Sequence, residues 1–462
     1  MSSIAFFLSL SVTAITGIYL YRRLNPQGSL MLAGLIMLTL AVIFNIQPVI
    51  PAKPTGSIIF DLIKIVEETF VNNLARAGLM IMTIGGYVAF MNHIQATNAL
   101  VYISMKPLSL FKKYPYLAAT ITIPIGQILF ITTPSATGLG LLLVASVYPI
   151  LVGLGVSKLT ALSVIAAATL FDQGPGSANT ALAAELIEQT NVAYFITHQL
   201  PLVIPTTLVV MALFYFNNRY FDKKDAARLS AENETENNKV SQSVSRPDVP
   251  FIFAFLPILP LALLILFSPY VGLLQNITLN TTTAMILSLF ISLLFIALHT
   301  RNLRKTFDAF SSFWKGMGNV FASVVTLIVA SEVFSKGLIS LGFIDSLVEY
   351  STHIGLSGIS IAAVFALIIF GAAMLMGSGN AAFFSFGPLL PGIARQLGMP
   401  AYSLILPLQL SASMGRAASP IAGIIVAIAG VAGVSPIELA KRNTLPLIGS
   451  ILFLIGYHFI TL

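Results

Sequence analysis

Two short polar interruptions sit inside otherwise apolar stretches of the chain, 243 positions apart: Ser135-Ala136-Thr137 and Ser378-Gly379-Asn380. The same offset of 243 relates Leu154-Gly155-Val156-Ser157 to Leu397-Gly398-Met399-Pro400. Leu200-Pro201-Leu202 then answers Leu445-Pro446-Leu447 with a slip of two. A break in a hydrocarbon-spanning helix leaves N–H and C=O groups unpaired, so it survives only where protein buries it or a wet cavity lines it. Matching interruptions in two halves of one chain therefore point to the midplane binding site of a secondary carrier built from inverted-topology repeats.

Composition supports that setting. Hydrophobic residues make up 56% of the chain and charged residues 9%, against about 25% charged in soluble domains. Apolar runs of roughly 18 residues recur, each long enough to cross a hydrocarbon core of about 30 Å as a helix. The runs are continuous rather than alternating, which excludes a β-barrel and gives an all-α polytopic membrane protein. The net charge of +7 is spread over short connections, where it reports topology and implies no nucleic-acid partner. There is no cysteine, hence no disulfide or thiol chemistry. No phosphate-binding G-x-x-x-x-G-K-[ST] loop is present, so transport must be secondary. No paired carboxylates or nucleophile–base set suggest an enzyme.

Residues 1–216 read as a first half: scaffold helices, an interfacial amphipathic segment from Ile58 to Glu68, a re-entrant hairpin over 116–155, and a broken helix over 159–190 interrupted at Phe171 to Ser177. Residues 217–249 have the composition of a disordered cytoplasmic linker. Residues 250–462 repeat the plan upside down. A second interfacial segment covers Leu303 to Trp314, a hairpin covers 359–394, and a broken helix over 402–432 is interrupted from Ser413 to Pro420. Arg22-Arg23, Lys106, Lys112, Lys113, Lys158, Arg301, Arg304, Lys305, Lys441 and Arg442 then fall inside. Glu185, Glu188, Asp345 and Glu349 fall outside, as do both termini.

Each break exposes helix ends. N-terminal ends carry free N–H groups that suit carboxylates, and C-terminal carbonyls suit Na⁺. The small polar residues at the breaks fit a substrate site made of Ser135, Ala136, Thr137, Gly138, Ser177, Asn179, Ser378, Gly379, Asn380, Ser413, Arg416 and Ser419. The competing reading is that small residues merely allow close helix packing. Arg416 is the sharpest of the set, because an intramembrane guanidinium is costly and its fork matches a carboxylate; otherwise it ties helix ends together. Asp172, with Thr133, Gly377 and Gly415, is assigned to the coupling ion. Its carboxylate has three readings: a cation ligand, a proton carrier, or the ion-pair partner of Arg416. Glu332 and Lys336 have the favourable i,i+4 order of a structural pair. The five histidines lack ligand spacing, so no metal site is expected.

Leu79-Met80-Ile81-Met82, Ser135-Ala136-Thr137-Gly138-Leu139-Gly140, Gly377-Ser378-Gly379-Asn380-Ala381, Gly415-Arg416 with Ser419-Pro420, and Val426-Ala427-Ile428-Ala429-Gly430 together resemble the DcuC family of anaerobic C4-dicarboxylate carriers. The likeness runs from about Leu79 to Leu447 and extends to the wider ion-transporter superfamily. It implies a homodimer of inverted repeats in the bacterial inner membrane, working by an elevator motion without a cofactor. The implied cargo is succinate, fumarate or malate, exchanged or exported with Na⁺ or H⁺. The resemblance places the site at the two hairpin tips and at the breaks around Gly176 to Asn179 and Ser413 to Ser419. Asn179 departs from the acidic residue that relatives carry there, which leaves the coupling ion open. Another small organic anion or an amino acid is the alternative cargo.

Overall fold

The computed structural model describes residues 2–22, 24–46, 50–105, 113–232, 249–268, 271, 277, 279–343, 346 and 357–462. Arg23, Lys106, Lys112, Asp345, Glu349 and residues 233–248 of the expected linker lie outside the described residues. Among those described, all regular structure is helical, and nine helices are long and apolar enough to cross a membrane. The protein is an all-α, multi-spanning membrane protein.

Two long helices form a frame. Ile58–Asn73 continues through a π-turn at Leu74–Gly78 into Leu79–His93. Leu303–Val320 continues through Phe321–Val325 into Thr326–Ser340. The segments expected to lie separately in the interface are therefore the first parts of continuous helices. No proline separates Glu68 from Leu79 or Trp314 from Thr326, and Gly78, Gly316 and Gly318 are taken into the helix, so the hydrogen-bond ladder carries on. Each ladder takes in one wide turn, which rotates the apolar face that follows. A helix of 36 residues is about 54 Å long at 1.5 Å per residue, and so outreaches the hydrocarbon core.

Pro26–Ile43 and Thr281–Thr300 complete the frame by packing on these two helices. The crossings depend on glycine. A Cβ at Gly34 would lie 2.7 Å from the Val333 carbonyl oxygen, and one at Gly316 would lie 2.8 Å from the Gly85 carbonyl oxygen. Gly34→Val is expected to cost about 1–3 kcal/mol by overpacking, seen as a lower midpoint of thermal unfolding in detergent.

Phe251–Ile258 and Leu259–Leu266 pack on this frame, and the helices that follow form a body. Its first hairpin comprises Pro115–Thr132 and Ala136–Ser146, extended by Tyr148–Gly153. Its second comprises Gly358–Met376 and Gly379–Phe386, extended by Leu390–Gln396. The first broken helix is Lys158–Ala168 followed by Ala178–Leu186. The second is Tyr402–Ala417 followed by Gly423–Ala432. Here the structure corrects the sequence reading: the helix runs on through Ser413, Gly415 and Arg416, and only residues 418–422 are non-helical. Nothing before Pro420 forbids helix, because a proline disfavours the α region only for the residue preceding it.

Two further helices brace the body. One runs from Asn191–Tyr194 through a π-turn at Phe195–Gln199 into Leu200–Glu232, and it packs on the other, Pro436–Ile460. Residues 217–232 of the expected linker are thus helical. Their polarity serves a buried ionic cluster in which Asp222 and Asp225 both bind Arg442.

Candidate functional site

Both hairpin tips are built alike. At the first, the Gly138 N–H donates to Ser135 Oγ (3.3 Å), and at the second the Ala381 N–H donates to Ser378 Oγ (3.1 Å). Each serine caps the start of its hairpin's second arm, satisfying one of the free N–H groups there. Ala136, Thr137 and Gly138 occupy the first turn after one cap, and Gly379 and Asn380 the first turn after the other.

The tips lean on the second broken helix. A Cβ at Gly423 would sit 3.3 Å from the Thr137 hydroxyl, so the first tip touches the restart of that helix. Gly379 packs on the Ala412 carbonyl (2.7 Å to its Cβ position) and Gly377, at φ +71°, on the Ile421 carbonyl (3.0 Å). Gly415 lies directly against the Phe370 carbonyl, an approach that admits no side chain.

The first break is held by its own polar groups. Asp172 is buried. Its Oδ1 accepts from Ser177 Oγ (2.6 Å), its Oδ2 from Asn179 Nδ2 (3.2 Å), and its main-chain oxygen from Gln409 Nε2 (3.2 Å). Ser177 also caps Ala178–Leu186, accepting from the N–H groups of Asn179 and Thr180. Asn179 thus has a local role: its amide donates to the Asp172 carboxylate, which a second carboxylate could not do unless protonated.

Arg416 reaches across to the same break. Its Nη2 donates to the Thr169 carbonyl (2.6 Å) at the end of Lys158–Ala168, and its guanidinium lies 5.7 Å from the centre of the Phe130 ring. Its Nε is buried without a partner. Among the described residues no direct ion pair joins Arg416 to Asp172, but the two opposite charges lie near enough to act on each other, while Ser177 and Asn179 make the direct hydrogen bonds to the carboxylate. A buried guanidinium with a free N–H next to capped helix starts is suited to an anion.

The assigned residues differ in what is left free. The Thr133 hydroxyl donates back to Leu129 O (2.9 Å) and that of Ser413 to Gln409 O (3.3 Å), while Ser419 Oγ accepts from the Ile421 N–H (3.3 Å). Gln409, Thr169 and Phe130 join the site without having been expected. For Gln409 the signal is a lone amide in the apolar run Leu404 to Leu410; in the structure it links Asp172 to the Tyr194 hydroxyl (2.9 Å). Glu332 and Lys336 form their i,i+4 pair (3.1 Å). Among the described residues no cluster of three or more His, Asp or Glu side chains is arranged to hold a metal.

Two interrupted helices joined through a buried arginine, in a body set on a helical frame, are the kind of arrangement a membrane carrier uses. The family model of the C4-dicarboxylate anaerobic carriers, DcuC, matches residues 4–462, and the chain belongs to that family. A relative from Vibrio cholerae serotype O1, named "Probable anaerobic C4-dicarboxylate transporter DcuC", is 33% identical over 97% of this chain and 96% of its own length. The anaerobic C4-dicarboxylate transporter DcuC of Escherichia coli K12 is 30% identical over 97% of this chain and 95% of its own. Two solved structures share the fold. The YdaH transporter of Alcanivorax borkumensis superposes with TM-score 0.61 at 13% identity, over 94% of this chain and 98% of that one. MtrF of Neisseria gonorrhoeae, of a class of antimetabolite efflux pumps, does so with TM-score 0.62 at 14% identity, over 95% and 96%.

Proposed function

We infer that this chain is a secondary carrier of C4-dicarboxylates such as succinate, fumarate and malate, exchanging or exporting them across the bacterial inner membrane. Family membership supplies the cargo class. The observation that supports the mechanism is that both tips pack on the second broken helix, whose Arg416 and Gln409 reach the first break.

In this reading one carboxylate takes the unpartnered side of the Arg416 guanidinium, where a fork-shaped donor is worth more than a point charge. The other takes the free N–H groups behind the caps at Ser135 and Ser378. The hydroxyls of Ser135, Thr137 and Ser378 and the amide of Asn380 complete the hydrogen bonds. Na⁺ or a proton, held near Asp172 or at the carbonyls beside the tips, lowers the cost of carrying a dianion through hydrocarbon. The two halves act as inverted repeats with re-entrant hairpins. The body moves against the frame as an elevator, the frame makes a homodimer, and both termini face outward.

The test is counterflow of labelled succinate into proteoliposomes preloaded with C4 acids, with and without Na⁺. Preloaded succinate, fumarate or malate is expected to accelerate uptake at least tenfold over empty vesicles, a gap of about 1.4 kcal/mol in effective barrier. Dependence on Na⁺ would identify the coupling ion. Folded protein that exchanges no C4 acid would overturn the cargo and direct the search to other anions and amino acids.

A further inference from the structure

A cleft of about 890 Å³ lies where frame and body meet, away from the hairpin tips. Arg76, Met80, Leu264 and Thr281 line it from the frame side, and Ala181, Glu185 and Asn191 from the body. Arg76 Nε sits 3.3 Å from Glu185 Oε1 across it, and among the described residues this is the one ion pair that joins frame to body. The other pairs lie within the frame helices (Lys64–Glu67, Glu332–Lys336) or within the body (Arg442 with Asp222 and Asp225).

The two partners are unequally placed. The Arg76 side chain is 68% exposed and that of Glu185 21%. Glu185 Oε2 is buried with no hydrogen-bond partner. Among the described residues Arg76 is thus the only cation paired with this half-buried carboxylate, at a reach that a movement of a few ångströms would break. Arg76 also sits in the π-turn Leu74–Gly78 of its helix, a feature that recurs at functional positions. Close by, Asn73 donates to Glu332, and Lys336 donates to Thr69 (2.7 Å). Glu332 and Lys336 are therefore already engaged within the frame, leaving Arg76 for the body.

We propose that the Arg76–Glu185 pair is a latch between frame and body that holds the conformation seen here and must open during each transport cycle. The proposal rests on the reading that the body moves against the frame, and the experiment separates the two.

The chain has no cysteine, so an introduced pair is unambiguous. Asn191 Nδ2 lies 3.3 Å from Met80 Sδ across the same cleft, which makes Met80→Cys with Asn191→Cys, bridged by a short reducible bifunctional thiol reagent, a reporter of this conformation. In proteoliposomes, cross-linking the pair is expected to arrest succinate counterflow, and reduction to restore it. Undiminished counterflow in the cross-linked protein would overturn the moving-body reading itself. With arrest established, Glu185→Gln is added to the reporter. Cross-linking is then expected to slow about threefold, the scale of a partly exposed ion pair, as the population shifts away from this conformation. Arg76→Gln, which changes only the exposed partner, should do the same without burying a new polar group. The exchange of charges Arg76→Glu with Glu185→Arg should recover most of the loss. Unchanged cross-linking in both single variants, or no recovery in the folded charge exchange, would overturn the latch while leaving the carrier reading intact.

Discussion

Replacing Arg416 by alanine is expected to lower C4-dicarboxylate exchange at least about thirtyfold, because removing one partner of a desolvated charge pair costs roughly 2–5 kcal/mol. The guanidinium is anchored on one side by the Thr169 carbonyl and leaves its Nε unpartnered on a buried surface. A carboxylate arriving there finds a donor already oriented, so little ordering remains to be done on binding. Arg416→Lys provides the discriminating control. An ammonium keeps the charge but not the planar fork, so it should retain part of the affinity and raise KM more than it lowers the maximal rate. If Arg416 only tied helix ends together, lysine and alanine would both lower the thermal midpoint and leave the KM of the surviving protein unchanged. The measurement is initial-rate counterflow against succinate concentration, paired with thermal unfolding of the same preparations.

The tips were legible because their chemistry is local: a serine followed by small residues inside an apolar run caps a helix wherever it lies. The 243-residue offset found two such places, and the structure gives both the same cap, from Ser135 to Gly138 and from Ser378 to Ala381. What escaped was whatever depends on a partner far along the chain. Gln409 looks like a stray amide until Asp172, 237 positions away, supplies the carbonyl it donates to. The extent of the second broken helix was misjudged because Ser413, Gly415 and Ser419 are turn-prone residues by type. In place, a buried helix absorbs Ser413 through its bond back to Gln409 and uses Gly415 for close approach to Phe370. That the amphipathic segments run on into the following helices is hidden for the opposite reason. Their polar stripes are real, but a π-turn shifts the helix phase without any marker residue in the sequence, so one helix reads as two.

Residues 217–225 show the same limit most sharply, and they carry the second large effect. Arg442 is 3% exposed, and its Nη1 lies 2.7 Å from Asp222 Oδ1 while Nη2 lies 2.8 Å from Asp225 Oδ2. Asp222 also accepts from Ser157 Oγ (2.6 Å), Thr160 Oγ (2.9 Å) and the Tyr116 hydroxyl (3.1 Å). The cluster thus ties the base of the first hairpin and the start of the first broken helix to the final helix of the chain. Arg442→Ala leaves the buried Asp222 without its cation, which is expected to cost about 3–5 kcal/mol. The double variant Arg442→Ala with Asp222→Ala removes both charges and should recover at least half of that loss, because the penalty lies in the stranded charge rather than in the missing attraction. Thermal unfolding of the two variants checks this directly, and a double variant no more stable than Arg442→Ala would show that the cluster acts through packing instead. Transport should follow stability here. The site at the tips keeps all its own groups in Arg442→Ala, but the hairpin that carries Ser135 would lose the anchor at its base, so exchange should fall mainly in maximal rate while KM for succinate stays close to that of the parent.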